Sequence, residues 1–221
     1  MMNRHDYYTP GEVHVRARED GGESRTIEGY AIVFGQPSLP LYQDESAEVR
    51  EVISREAVSR EMLDDSDIVM TLYHNSELLL GRSKNGAGTL RYDIDERGVH
   101  FELDVARTVD GDRALELVRR GDIDGCSFAF TTKYGDRDYV SHEVSRSVDG
   151  KTLETFTVRR VNKIYDFTLT PRPAYPATSV EARALVEAMR PAPEVSETPC
   201  DKSVDVENQI KEMRAMARVE L

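Results

Sequence analysis

From residue 88 to residue 104 the chain reads GTLRYDID, ERG, VHFELD, with apolar and polar residues alternating on both sides of a short turn that contains glycine. A period of two on both flanks of such a turn commits the two runs to paired strands, because only that pairing gathers the apolar side chains on one face. The same signature recurs. EVHVRARE and RTIEGYAIVF flank Gly21 and Gly22, and RDYVSHEVSRS and KTLETFTVRRV flank Asp149 and Gly150. NKIYDFTLTP adds a further run, and GCSFAFTTKYGD and DIVMTLYH are apolar enough to be strands buried on both faces. The expectation is a mainly β, mostly antiparallel domain of seven or more strands.

Two helices interrupt these strands. SREAVSREMLDD has Ser54 as an N-cap and Ala57, Val58 and Met62 at helical spacing. DGDRALELVRRGDID places Ala114, Leu115 and Val118 on one face, with Gly121 as the C-terminal stop. GQPSLPLYQDES is broken by proline and glycine and reads as a loop. Beyond Pro171 the chain becomes turn-rich, then forms a helix over VEARALVEAM, a Pro-rich linker over RPAPEVSETP and a terminal amphipathic helix carrying Ile210, Met213 and Met216. The expected division is an N-terminal segment with a first strand over 1–25, the main domain over 26–182, and a C-terminal extension over 183–221.

Charge and cysteine content remove several function classes. The 41 acidic residues outnumber 29 basic ones for a net charge of -12, which disfavours nucleic acid and anionic membrane surfaces as partners. No run reaches the roughly 18 apolar residues of a membrane span, and MMNRHDYYTPGEV lacks the apolar core of a secretory signal. A cytosolic protein is expected. The only cysteines are Cys126 and Cys200, too few for a disulfide framework or a cysteine zinc site. There is no G-x-S-x-G elbow, phosphate-binding Walker loop or H-E-x-x-H helix; neither a cofactor nor a metal is implied.

Among the five histidines, His5, His14, His100 and His142 sit in polar or alternating contexts that suit solvent-facing or satisfied side chains. His74 closes the buried run DIVMTLYH and is followed by Asn75-Ser76, so it projects from a strand end into a loop, where scaffolds present functional groups. Ser127 stands at the head of an apolar strand after Gly125 and Cys126. A serine needs a neighbouring imidazole to take its proton and N–H donors to hold an oxyanion. For those donors the sequence offers the neighbourhood of Gly125 or a loop around Arg82. Cys126 is the rival nucleophile, but strand parity sends its side chain opposite to that of Ser127. The reading favours Ser127 for the site and Cys126 for the core. A third group, usually a carboxylate, must orient the imidazole. Asp166, flanked by Ile164, Tyr165, Phe167 and Leu169, is the acid whose setting most demands a partner.

In order along the chain, IEGYAIVFG, VMTLYHNSELLLGRS, GVHFELDVARTVDGDRALELVRRGDIDGCSFAF and IYDFTLTPRPAYPAT resemble the successive blocks of tailed-phage prohead (head maturation) serine proteases. That family is related in fold to the herpesvirus assemblins. The resemblance spans roughly residues 26–182 and implies an assemblin-like antiparallel β-barrel core. It implies His74, Ser127 and Asp166 as the catalytic residues, the last standing where the family more often has glutamate. It further implies a serine endopeptidase inside the assembling procapsid in the bacterial host cytoplasm. Such an enzyme cuts the scaffold or the N-terminal region of the major capsid protein, and itself, needs no cofactor and forms a homo-oligomer. The competing expectation is a scaffold or assembly chaperone that keeps a protease fold without activity. A small-molecule esterase is a weaker third.

Overall fold

The computed structural model describes residues 4–9, 13–18, 22–171 and 186–190. The Pro-rich linker, the terminal helix with Ile210, Met213 and Met216, Cys200 and Gly21 lie outside the described residues, as does the side chain of His5. Fourteen strands among the described residues form three sheets.

The first sheet carries the site. It contains β1 (Arg4–Thr9), β6 (Ile68–Leu72), β7 (Asn75–Lys84), β8 (Ala87–Gly88), β11 (Gly125–Thr131) and β14 (Lys163–Thr170), in the order β1-β11-β14-β6-β7-β8. The second holds β2 (Val13–Val15), β3 (Thr26–Val33), β10 (Gly98–Asp104) and β9 (Leu90–Ile94), in that order. The third runs β12 (Val140–Arg146), β13 (Thr152–Val158), β5 (Ala47–Ile53) and β4 (Tyr42–Gln43).

The hairpins read from alternation form as expected. Strands β9 and β10 pair antiparallel, and the Asp95 carboxylate closes their turn by accepting the Arg97 and Gly98 amides, each at 2.8 Å. Strands β12 and β13 pair across a turn in which Gly150 takes a φ of 88°, a conformation that costs an L-residue about 1–2 kcal/mol.

The expected antiparallel barrel requires correction on one point. β5 pairs with β13, and β6 with β14, in parallel, and the described hydrogen bonds draw three open ladders rather than a closed ring. A long crossover brings each parallel pair together, and β6 and β14 are buried along most of their length, the usual setting for parallel strands. β1 and β11 pack against β3, so the first and second sheets share a core that includes the fully buried Phe101, Phe128, Phe130 and Phe167.

The helix expected from Ser54 is two pieces. A 3₁₀ turn covers Arg55–Ala57, Val58 returns to extended backbone, and helix α1 runs over Arg60–Asp65. Its cap is Ser59, whose hydroxyl accepts the Met62 amide at 3.2 Å, whereas the Ser54 side chain makes no capping bond. Helix α2 (Val109–Arg119) is capped by Thr108 and lies against β2 and β7. Gly121, with a φ of 74°, turns the chain out of it towards β11. Residues 186–189 are helical, and Val186 and Met189 are buried in the core. Arg190 bridges the buried Glu154 of β13, its Nε lying 3.1 Å from one carboxylate oxygen.

Candidate active site

Three adjacent strands supply the site. On β11, Ser127 is in register with Thr168 of β14, and Thr168 is in register with Thr71 of β6. Paired residues on neighbouring strands point to the same side of a sheet, so these three hydroxyls form a row on one face. Asp166, two residues before Thr168 on β14, shares that face. Because β14 is an interior strand, Asp166 is 4% exposed and not the water-facing edge carboxylate it could have been.

His74 comes to this face by a tight reversal. Strands β6 and β7 pair with Leu72 opposite Asn75, leaving Tyr73 and His74 as the two residues of the turn. Both have positive φ, 58° and 55°, the sign pattern of a type I′ hairpin turn, which normally selects asparagine and glycine. The expectation that His74 projects into an open loop is therefore corrected: the chain turns back at once, and ELLLGRS is strand rather than loop. The tight turn lays the imidazole over the row of hydroxyls.

The resulting contacts form one chain. His74 Nδ1 lies 2.8 Å from Asp166 Oδ1, and His74 Nε2 lies 3.0 Å from Ser127 Oγ. An ionised carboxylate can only accept, so Nδ1 carries the ring proton and Nε2 of the neutral imidazole accepts from the Ser127 hydroxyl. The arrangement can pass a proton from Ser127 Oγ to Nε2 while Asp166 steadies the imidazolium that forms.

Cys126 points the other way. It is fully buried within the hydrophobic core, opposite Leu169 across the strand pair. Its thiol donates to the Ser127 carbonyl oxygen at 3.4 Å, and burial pushes its pKa well above the ordinary thiol value. Such a thiol is chemically inert.

His14, His100 and His142 make contacts away from this site. His14 Nε2 meets Glu28 at 3.1 Å, and His100 sits edge-on to the Tyr30 ring at 5.2 Å. His142 stacks on Phe156 at 4.3 Å and hydrogen-bonds Glu154 at 2.9 Å. Arg82 belongs to strand β7 opposite Val69, with its guanidinium on Asp67. It lies towards the opposite end of β6 from His74, so the oxyanion donors suggested around it are not there. Among the described residues no group of histidine, cysteine and acidic side chains is arranged to hold a metal ion, and no helix is long and apolar enough to cross a membrane.

Residues 11–191 match the family model of the caudovirus prohead serine protease. The chain belongs to that family. No curated protein and no solved structure matches it. Membership implies a serine peptidase with a role in capsid maturation inside the phage procapsid. Two residues of this candidate site escaped the sequence reading. Thr168, in the run FTLT, looks like any β-branched strand residue. Tyr73 gives no sign of the left-handed backbone it adopts, because nothing in its side chain favours one.

Proposed function

We propose that this chain is a serine endopeptidase with Ser127 as nucleophile, His74 as general base and acid, and Asp166 as the orienting carboxylate. The observation that carries the reading is the unbroken chain from Asp166 through His74 to Ser127, with contacts of 2.8 and 3.0 Å. Ser127 Oγ attacks the scissile carbonyl carbon as its proton passes to His74 Nε2. The tetrahedral intermediate collapses, and the same proton is delivered to the departing amine, leaving an acyl-enzyme. Water, deprotonated by His74, then attacks the ester carbonyl, and as the intermediate collapses His74 Nε2 gives that proton to the departing Ser127 Oγ, releasing the acid. Asp166 holds the tautomer throughout and remains ionised.

The substrates in this reading are scaffold and the N-terminal region of the major capsid protein, together with the enzyme itself. The enzyme is a homo-oligomer built into the procapsid in the host cytoplasm, with no nucleic-acid or membrane partner. The assemblin-like barrel belongs to the same reading, supported by the packing of β1 and β11 on β3. Residues 191–221 serve as a segment that binds scaffold during co-assembly and is then removed. Its Pro-rich start follows directly on Arg190, where the chain is tied to Glu154. Deleting 191–221 is expected to abolish incorporation into proheads, and unchanged incorporation would refute that role.

The decisive experiment treats the full chain with a fluorophosphonate probe and maps the adduct by mass spectrometry. Labelling at Ser127, lost in Ser127→Ala and accompanied by loss of processing of a co-expressed capsid protein, is the expected result. A folded protein that is never labelled would favour an assembly chaperone without activity of its own, whereas a Ser127→Ala variant that still processes would refute Ser127 as nucleophile and turn attention to Cys126.

A further inference from the structure

The Thr168 hydroxyl, which plays no part in the proton path, is completely buried beneath His74. Its Oγ1 lies 2.9 Å from the His74 backbone nitrogen, 3.0 Å from the Thr71 carbonyl oxygen and 2.9 Å from Thr71 Oγ1. A hydroxyl has one proton and two acceptor lone pairs. The Thr71 carbonyl can only accept, so the Thr168 proton is committed to it. The His74 N–H can only donate, so it takes one lone pair. The Thr71 hydroxyl must then donate into the other. Every hydrogen-bonding capacity of Thr168 is used, and the direction of each bond is fixed.

That saturation matters because of the backbone it holds. Tyr73 and His74 both adopt positive φ, at about 1–2 kcal/mol each for residues with a Cβ. Such strain persists only where surrounding contacts over-determine it. The Tyr73 amide is held by the Leu169 carbonyl at 3.2 Å, and the His74 amide by the Thr168 side chain. The second tie is the one that a single substitution can remove. The same β14 segment also carries Asp166 and is in register with Ser127, so Thr168 references the His74 backbone to the strand that orients both of its ring contacts.

We propose that Thr168 is a positioning residue for the serine-peptidase reaction, its buried hydroxyl fixing the His74 backbone so that the imidazole reaches Asp166 and Ser127 together. This rests on the reading of His74 and Ser127 as base and nucleophile. A displacement of about 1 Å in a reacting group costs on the order of a hundredfold in rate. Thr168→Val keeps the shape and removes all three hydrogen bonds, whereas Thr168→Ser keeps the hydroxyl and loses a methyl group.

Saturation kinetics of fluorophosphonate labelling separate the two effects. Thr168→Val is expected to lower the maximal labelling rate at Ser127 by about 10- to 100-fold, with half-saturation unchanged, and Thr168→Ser to rescue most of the loss. A valine variant that labels at the wild-type rate, or a serine variant as slow as the valine one, would overturn the proposal. A second readout needs no activity: the low-field proton resonance of His74 Nδ1 against Asp166. It should survive in Thr168→Ser and be lost to exchange in Thr168→Val; survival in both overturns the proposal. This pattern across the variants, together with wild-type protein that is never labelled, would sink the peptidase reading and leave the positioning role standing. If Thr168→Val fails to fold, amide exchange in the wild-type protein decides. A His74 N–H bound to a buried hydroxyl exchanges about a hundredfold or more slower than an open amide, and exchange at the open rate refutes the tie.

Discussion

Glu51 should make the stability of this protein fall as pH rises from mildly acidic to neutral. Its side chain lies in the interior of the third sheet, 1% exposed, opposite Phe156 of β13. The Tyr134 hydroxyl donates to Oε1. Burial pushes the carboxyl from its ordinary 4.5 up to about 7, against the opposing pull of the Tyr134 hydrogen bond. The folded state therefore keeps a proton that the unfolded chain releases, so stability declines as pH climbs from about 4.5 to about 7 and levels off above. Over that interval the penalty reaches about 3 kcal/mol, a sizeable share of the 5–15 kcal/mol typical of a domain. Glu51→Gln keeps an oxygen for the Tyr134 hydroxyl and removes the titration. Its amide adds donors that need partners, so the variant can start out less stable by about 1–2 kcal/mol at pH 5. The difference between the two proteins is the quantity that matters. Measured by urea unfolding at pH 5, 6, 7 and 8, it should shift in favour of Glu51→Gln by about 2.5 kcal/mol across the series, part of the penalty being already in place at pH 5. A difference that stays constant with pH would mean that Glu51 is ionised in the folded protein, and the argument from burial would fail.

Asp166→Asn should fold normally yet lower the rate of fluorophosphonate labelling by on the order of a thousandfold or more. An amide that turns its NH₂ group towards Nδ1 forces the ring proton onto Nε2, where it blocks the transfer from Ser127; wild-type labelling by that variant would remove Asp166 from the site. Tyr73→Asn should raise the melting temperature by about 2–4 °C, because asparagine tolerates the left-handed backbone that tyrosine adopts at 58°, and a lower melting temperature would show that the half-exposed ring contributes more than the strain costs. Cys126 should resist iodoacetamide in the native protein and react only after denaturation, as followed by peptide mapping; rapid native alkylation would contradict its burial.

The parts of the fold that were legible in the sequence are those where neighbours along the chain are also partners in the sheet. Strands β9 and β10 are the clearest case, since their alternation and turn chemistry point to the same pairing. Strand β7 was missed because three consecutive leucines, Leu78 to Leu80, break the period of two, and because bulges beside Thr71 shift its register against β6. Strand β5 does alternate, in AEVREVI, but its partner β13 lies about a hundred residues away and runs parallel to it; no local turn announces such a pairing. The cap of α1 shows a finer limit. Ser54 and Ser59 both precede acidic and apolar residues, and only the extended backbone at Val58 decides between them. The candidate site divides in the same way. Ser127, His74 and Asp166 stood out as residue types in unusual settings, whereas Thr168 has an ordinary setting and gains its significance only from cross-strand register.

Register also explains why the three groups meet at all. In a parallel pair the C-terminal ends of both strands lie at the same edge of the sheet. The turn after β6 therefore arises beside the end of β14, next to Thr168 and Leu169. Strand β11 runs antiparallel to β14, so its N-terminal end, with Ser127 at the third position, reaches that same edge. An antiparallel β6 would carry His74 to the far edge of the sheet, several residues of strand away from Ser127. The parallel pairing of β6 with β14, which departs from the expected antiparallel barrel core, is thus the feature that brings base and nucleophile together. The left-handed turn at Tyr73 and His74 follows from it. A histidine placed beyond the last paired residue of β6 can contact Asp166, two residues back along β14, only if the chain reverses immediately. A longer loop would relieve the backbone strain but would leave the imidazole free to swing away from Asp166. The strained two-residue turn is consistent with a site in which the orientation of one ring outweighs about 2–4 kcal/mol of backbone preference.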